Sequence, residues 1–414
     1  MSRSVTSAAV AMTGMSHVVW REPIALQREI VGRSAIIAAI AFLTLIDLFG
    51  SQALVPMLTD AYGVTSSTMG VAVNASAVGM ALASLSATVL ARRFDRRVAI
   101  TLSLALLSVP TALLALMPDL RIFIALRVLQ GVFMAAAFTL TLTYLSERCA
   151  VTALGGAMAA FITGNVAANL FGRLLASSVA DYHGVGTSFM IFAGLNLVGA
   201  ALAWWYFRKG SDPKQVDEAD RDGPAMRTLQ AWVYHLTDAR LGAAFVLGFL
   251  ILFVFVAAFT YANFELTAAP LGLAPMSLGL VYFVFLPSLV TTPLAPYMAA
   301  RLGDRRAAVF GLLISMSGLA LMLSSTLLLF LSGMALCAIG LYLTQSVATA
   351  FLGRHATRDR ASANGLYLAC YYTGGIAGAW LIGVVHGMIG WDASVAVLLA
   401  ALGLAILTLR RMKP

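Results

Sequence analysis

Twelve long apolar runs, joined by short polar stretches, constrain this chain more than any other feature. In hydrocarbon the backbone must satisfy its own polar groups, and a helix of about 20 apolar residues does so while crossing a bilayer. The runs fall near 34–57, 66–90, 98–117, 122–145, 153–179, 186–207, 242–264, 274–298, 307–327, 329–351, 362–386 and 391–409, numbered here as spans 1 to 12. They lack the strict alternation and hairpin spacing of a membrane β-barrel. The expected fold is therefore an all-α polytopic membrane protein. Charge content agrees: 11% of the 414 residues are charged and 60% are hydrophobic, against about 25% charged in a soluble domain. Too few polar groups remain to cover a soluble body, which excludes a cytosolic enzyme and a nucleic-acid binder.

The placement of the charges tests the count of spans. With the amino terminus in the cytoplasm, twelve crossings return the carboxyl terminus to the same side. The cytoplasmic segments then hold 24 of the 27 Lys and Arg residues, as the positive-inside rule requires. Only Arg121 falls in an outer loop, and Arg127 and Arg173 fall inside spans. The formal net charge of +9 is thus a topology signal, and the expected partner is a lipid bilayer, with no nucleic acid. The three cysteines, Cys149, Cys337 and Cys370, form no disulfide framework and no metal-ligand spacing. No cofactor and no metal are expected.

The chain divides into an amino tail (1–33), a six-helix bundle (34–207), a polar linker (208–241), a second six-helix bundle (242–409) and a short tail (410–414). Within the linker, Leu229, Trp232, Val233 and Leu236 recur at helical spacing, which predicts a short amphipathic helix lying on the inner membrane surface. The two bundles repeat each other. Ala91-Arg92-Arg93-Phe94-Asp95-Arg96-Arg97 after span 2 matches Ala300-Arg301-Leu302-Gly303-Asp304-Arg305-Arg306 after span 8 at five of seven positions, 209 residues on. Thr163-Gly164 in span 5 recurs as Thr373-Gly374 in span 11. Two six-helix halves in one orientation are a transporter plan, with the substrate site between them near the membrane midplane.

With these motifs the chain resembles the major facilitator superfamily over nearly its whole length. Arg127-Val128-Leu129-Gln130-Gly131, followed by Ala135-Ala136, looks like the R-x-x-Q-G-x-x-x-A-A motif of that family's span 4. Asp47, with Pro56 nine residues on, is similar to an element of its drug:proton antiporters. The span 5 and span 11 patterns resemble the bacterial arabinose-efflux-type branch, which implies a multi-pass protein of the bacterial inner membrane acting as a monomer. The resemblance implies that the loops after spans 2 and 8 gate the cytoplasmic side, through Arg92, Arg93, Asp95, Arg96 and Arg97 and through Arg301, Asp304, Arg305 and Arg306. Arg92 and Asp95 depart from the family's D-R-F-G-R-R loop, Arg301 and Asp304 repeat the departure, and Asn165 replaces the proline of the antiporter G-P pair. A latch different from, or weaker than, the family's is expected.

Asp47 is the one acidic residue deep inside a span. A charge at mid-bilayer costs about 2.5–3.5 kcal/mol on insertion scales, and such residues face a bundle interior or a water-filled cavity. Two readings stand: a carboxyl that couples proton movement to a conformational cycle, and a fixed hydrogen-bonding partner. Arg127 holds its proton and must meet an acceptor, an anion or water; the resemblance implies that it tunes the proton-carrying acid, and snorkelling to the outer face is the alternative. Gln130 is its polar partner or a substrate contact. Arg173, near the outer end of span 5, pairs with Asp181 or snorkels, and if both arginines face the cavity an anionic substrate fits. Gln52, Asn165, Asn169, Tyr261, Asn263, Gln345, Tyr367, Tyr371 and Tyr372 offer hydrogen bonds to a substrate in an apolar pocket, or bond helix to helix. Small residues such as Gly70, Gly79 and Gly374 provide close helix packing.

The expected function is proton-coupled export of small amphipathic organic molecules (drugs, sugars or secreted metabolites such as siderophores). The alternative is proton-coupled import of a small organic anion or nutrient. No intramembrane serine-nucleophile motif, zinc-binding H-E-x-x-H or phosphate-binding loop occurs, so no enzyme is expected.

Overall fold

The computed structural model describes residues 24–93, 95–149, 151–209, 228–273 and 278–412. Most of the expected amino tail, residues 210–227 of the linker and the side chains of Arg92 and Arg93 lie outside the described residues. Spans 1 to 6 are the helices Ile24–Ala53, Ser66–Arg93, Arg96–Leu114, Leu120–Arg148, Val151–His183 and Val185–Lys209. Span 7 is Ala239–Thr267, and spans 9 to 12 are Asp304–Leu321, Leu327–His355, Arg360–Met388 and Trp391–Thr408. Among the described residues, eleven stretches are long and apolar enough to cross a membrane. The ninth span, 18 residues long, begins with Asp304, Arg305 and Arg306, which dilute its apolar character.

Proline explains two departures from the expected boundaries. Span 1 was expected to run to residue 57, yet its helix ends at Ala53, and a short helix, Val55–Tyr62, continues past Leu54. Pro56 has no N–H to return to the carbonyl of residue 52, so the ladder breaks there. Span 8, expected over 274–298, is a chain of short α and 3-10 pieces from Leu278 to Leu302. Pro287, Pro293 and Pro296 each stand in the first turn of a new piece. Span 7 starts at Ala239, before the expected 242, because the Asp238 carboxylate caps it by accepting from the Arg240 and Leu241 amides at 2.8 and 3.3 Å.

Close helix crossings define each bundle. A Cβ on Gly79 would strike the Val128 backbone, and one on Gly131 would strike the Ser76 backbone, so spans 2 and 4 touch main chain to main chain. Gly164 of span 5 meets Ala38 of span 1 in the same way, and Gly374 of span 11 meets Phe249 of span 7. The last two contacts lie 210 and 211 residues apart in the chain, close to the offset of the sequence repeat. Gly70, expected to pack, has open space around it. Large apolar side chains such as Val71, Leu82, Leu102, Val109 and Trp380 are exposed on the outside of the bundles, as suits a hydrocarbon-facing surface.

An even number of crossings brings the ends of the described chain to one face, the basic face. On it, Arg96 at the start of span 3 pairs with Glu147 at the end of span 4 at 2.7 Å. In the second half, Asp304 at the start of span 9 pairs with Arg354 at the end of span 10 at 2.6 Å. The pairs are equivalent in position with their charges exchanged, and each lies within its own half. Asp95 accepts from the Arg97 amide and caps span 3. The linker forms a helix over Thr228–Thr237. Its Ala231 and His235 are buried against the second bundle, and Leu229, Val233 and Leu236 are exposed as one apolar face.

Candidate functional site

Two buried arginines organise the polar interior. The first, Arg127, lies inside the first bundle with no exposed surface, as do Asp47 and Gln130. Its guanidinium donates to the Val73 carbonyl (2.9 Å), Ser51 Oγ (3.1 Å), Ser76 Oγ (3.1 Å) and Gln130 Oε1 (2.6 Å). It therefore neither snorkels nor pairs directly with an acid. The close approach of spans 2 and 4 at Gly79 and Gly131 is what brings Val73 and Ser76 within its reach.

Asp47 stands on the other side of Gln130. Its Oδ2 accepts from Thr111 Oγ1 at 2.9 Å, Asn196 Nδ2 at 2.9 Å and Gln130 Nε2 at 3.3 Å. Its Oδ1 has no hydrogen-bond partner among the described residues. The Gln130 amide thus links cation to carboxylate, one end accepting from Arg127 and the other donating to Asp47. Spans 1, 2, 3, 4 and 6 all contribute. At the 209- and 210-residue offsets of the repeat the second half carries Val256-Ala257 opposite Asp47 and Leu336-Cys337 opposite Arg127. The charged cluster belongs to one half only.

The second arginine, Arg173, sits on the seam between the halves and is 7% exposed. Its Nε donates to Asn169 Oδ1 at 3.0 Å and its Nη2 to Gln52 Oε1 at 2.6 Å. The guanidinium carbon lies 4.4 Å from the ring centroid of Tyr282, in the second half, and 5.9 Å from that of Phe49. Asn169 Nδ2 in turn donates to the Tyr342 hydroxyl of span 10 at 3.1 Å. The expected partner Asp181 is not used: it lies two helical turns away, about 12 Å along the axis, while Asn169 is one turn away on the same face.

Nearer the basic face the halves are bonded directly. Asn364 of span 11 donates to Thr143 Oγ1 and Ser146 Oγ of span 4 at 3.1 and 3.2 Å, and Arg360 donates to the Ser146 carbonyl. These bonds, rather than Arg96 or Asp304, join the halves at that face.

The remaining sequence-predicted residues divide. Asn165 and Gln345 are buried one turn from Asn169 and Tyr342 respectively, with Asn165 Oδ1 and Gln345 Nε2 unpartnered among the described residues. Tyr367, Tyr371 and Tyr372 form a buried row in the second half, with centroids 6.2 and 5.5 Å apart. Tyr261 bonds the Ala379 carbonyl (2.8 Å), and Asn263 bonds the Phe259 carbonyl (3.2 Å) and the Tyr282 hydroxyl (3.4 Å). Tyr261 stands apart from either arginine, whereas Asn263 meets the hydroxyl of the ring on which Arg173 stacks. Sequence reasoning missed Thr111, Asn196, Ser51 and Ser76 around Asp47 and Arg127, and Tyr282 and Tyr342 around Arg173. An amide in an apolar run, as at Asn196, was the signal available; the small hydroxyls gave none.

The sequence profile of the Major Facilitator Superfamily matches residues 37–286 and 264–414. The chain belongs to that superfamily. It is 25% identical over 350 residues to the uncharacterized MFS-type transporter YybF of Bacillus subtilis, spanning 84% of each chain. It is 26% identical over 369 residues to the inner membrane transport protein YnfM of Escherichia coli, spanning 88% of this chain and 86% of that one. Among solved structures it resembles the proton:xylose symporter XylE at a TM-score of 0.71 and 16% identity, over 93% of this chain and 96% of that one, a likeness of fold. The chain is a membrane-spanning secondary transporter of the major facilitator fold and not an enzyme. Members of the superfamily act on small molecules and commonly work as monomers.

Proposed function

We propose that the protein is a proton-coupled exporter of small amphipathic organic molecules in a bacterial inner membrane, with its basic face in the cytoplasm. The observation that carries this reading is the carboxyl of Asp47, fully buried, bonded through one oxygen only and linked to Arg127 by Gln130. Thr111, Asn196 and Gln130 all address Oδ2, so a proton can be taken up on Oδ1 without breaking those bonds. Burying an unpaired carboxylate is costly, and protonation removes that cost. A change of surroundings that wets Oδ1 on one side of the cycle and dries it on the other therefore moves a proton.

Span 1 connects this site to the seam. Asp47 and Ser51, four residues apart, face the bundle interior; Phe49 and Gln52, three apart, face Arg173. A turn of span 1 about its own axis moves both sets together, which supplies a mechanical route between protonation and substrate. The distribution of Lys and Arg supports a cytoplasmic basic face. The bonds from Asn364 and Arg360 then close the cytoplasmic side in this state.

Inverted membrane vesicles containing the protein, given an imposed pH gradient and a panel of amphipathic compounds, test this reading. A transported compound is expected to dissipate the gradient with the wild-type protein and not with Asp47→Asn. Equal dissipation by both proteins contradicts the coupling role.

A further inference from the structure

Arg173 holds a full positive charge at the seam, yet every group that it touches is neutral. Among the described residues its side-chain bonds are to two amide oxygens, those of Asn169 and Gln52, so two of the five guanidinium N–H groups are used. The other contacts are ring faces, Tyr282 closest. Such a ring attracts a cation without neutralising it. Arg127, by contrast, has Asp47 nearby to balance it. A guanidinium with unused donors in a fixed fork is suited to a planar, singly charged oxyanion.

The seam carries a second, shallower signal one helical turn (about 5.4 Å) closer to the basic face. Asn165 precedes Asn169 by four residues and so shares its face; Gln345 and Ser346 follow Tyr342 by three and four and share its face. All three are at least nine-tenths buried, and Asn165 Oδ1, Gln345 Nε2 and Ser346 Oγ have no hydrogen-bond partner among the described residues. Other buried polar atoms also lack partners among the described residues, but these three lie on spans 5 and 10, which meet at the seam through Asn169 and Tyr342. Here a donor, an acceptor and a hydroxyl occur together on helices from opposite halves. A cation at one level and open hydrogen-bonding groups one turn below match the two ends of a ring-sized molecule.

We propose that the cargo is an organic monocarboxylate whose carboxylate sits on Arg173 and whose far end carries a polar group read by Asn165 and Gln345. The bound carboxylate takes the place of the Gln52 and Asn169 oxygens, and the freed amides turn their NH2 groups to it. Tyr282 provides a face for the body of the molecule. Because Arg173 and Asn165 belong to the first half and Tyr282 and Gln345 to the second, the anion touches both halves at once. This assignment rests on the transporter reading above, and it names the class of substrate without requiring that Asp47 be the coupling group.

Ligand-induced stabilisation of the purified full-length protein in detergent tests the assignment, with benzoate, its uncharged isostere benzamide, and 4-hydroxybenzoate as probes. Benzoate is expected to raise the unfolding temperature saturably and benzamide to leave it unchanged. 4-Hydroxybenzoate should bind about tenfold more tightly than benzoate. Arg173→Met should abolish the benzoate response and Arg173→Lys should weaken it. Should Arg173→Met not fold, Gln345→Ala serves instead: it should erase the advantage of 4-hydroxybenzoate while leaving benzoate binding intact. Equal shifts with benzoate and benzamide, no shift with either acid, or an unaltered benzoate response in Arg173→Met overturns the proposal. Asp47→Asn should still bind benzoate, so a failure of the coupling role appears only in the vesicle gradient, and a failure of the anion site only in these binding measurements.

Discussion

Arg127 and Arg173 are the same residue in two different situations. Arg127 is sealed inside one bundle, bonded to four groups from spans 1, 2 and 4, with Asp47 one amide away. Arg173 lies between bundles, bonded to two amides and stacked on a ring from the opposite half. The first arrangement has its counter-charge built in and belongs to one half. The second lacks one and spans a boundary that alternating access must open. Burial alone does not separate them; what separates them is whether the neighbours supply charge and whether they belong to one half.

The contrast predicts graded effects. Arg127→Met should be the most damaging, because it strands Asp47 and four polar partners in a dry interior. Removing one member of a buried charge set costs about 3–5 kcal/mol, and folded protein recovered by size-exclusion chromatography in detergent should fall sharply. Gly131→Ala disturbs the same cluster from its frame, pushing Ser76 away from the guanidinium. Overpacking of this kind costs about 1–3 kcal/mol, and its thermal midpoint should drop while Gly70→Ala, with open space around it, stays near wild type. Arg173→Met should cost less than Arg127→Met, since it loses two hydrogen bonds to a charged group, worth about 1.5–3 kcal/mol each, and relief from burying the charge offsets part of that. Its transport should nevertheless be lost. An Arg173→Met protein as unstable as Arg127→Met would break the distinction.

The smallest effect lies outside the spans. His235 of the linker helix is buried, and its ring nitrogen lies 3.2 Å from the Asp359 carbonyl. Burial pushes its imidazole below the usual value of 6.5, opposed in part by the Asp359 carbonyl and by the charges of Asp359 and Asp238. With the folded value depressed, the unfolded state binds the proton more readily. The contribution of His235 is then fully present above about pH 6.5 and is lost as pH falls below it. The protection of the residue 228–237 amides, taken relative to their intrinsic exchange rates at each pH, should fall between pH 7.5 and 5.5, and His235→Gln should flatten that dependence.

The plan of the fold was legible because hydrocarbon permits few alternatives: runs of about 20 apolar residues must be helices, and the Arg-rich loops fix their alternation. The repeat was legible too, and the Gly164 and Gly374 crossings place it in space. Asp47, Arg127 and Gln130 stood out as polar residues in apolar surroundings. Asn196 and Thr111 did not, because their meaning comes from converging on Asp47 across 149 and 64 residues of chain. Arg173 was expected to pair with Asp181 or to snorkel; the helix instead presents Asn169 on the same face, and the break at Pro56 leaves Gln52 near the end of span 1. The identity of span 8 was readable, but its division into short pieces depended on three prolines acting in sequence.

The central claim is that Asp47 couples proton movement to transport and Arg173 does not. Purified protein in liposomes, supplied with a transported compound, separates these roles in one comparison of exchange at equal pH with accumulation driven by a pH gradient. Asp47→Asn is expected to retain exchange and lose gradient-driven accumulation, while Arg173→Met loses both. Accumulation that persists in Asp47→Asn, still responding to the pH gradient as the wild type does, would contradict the account.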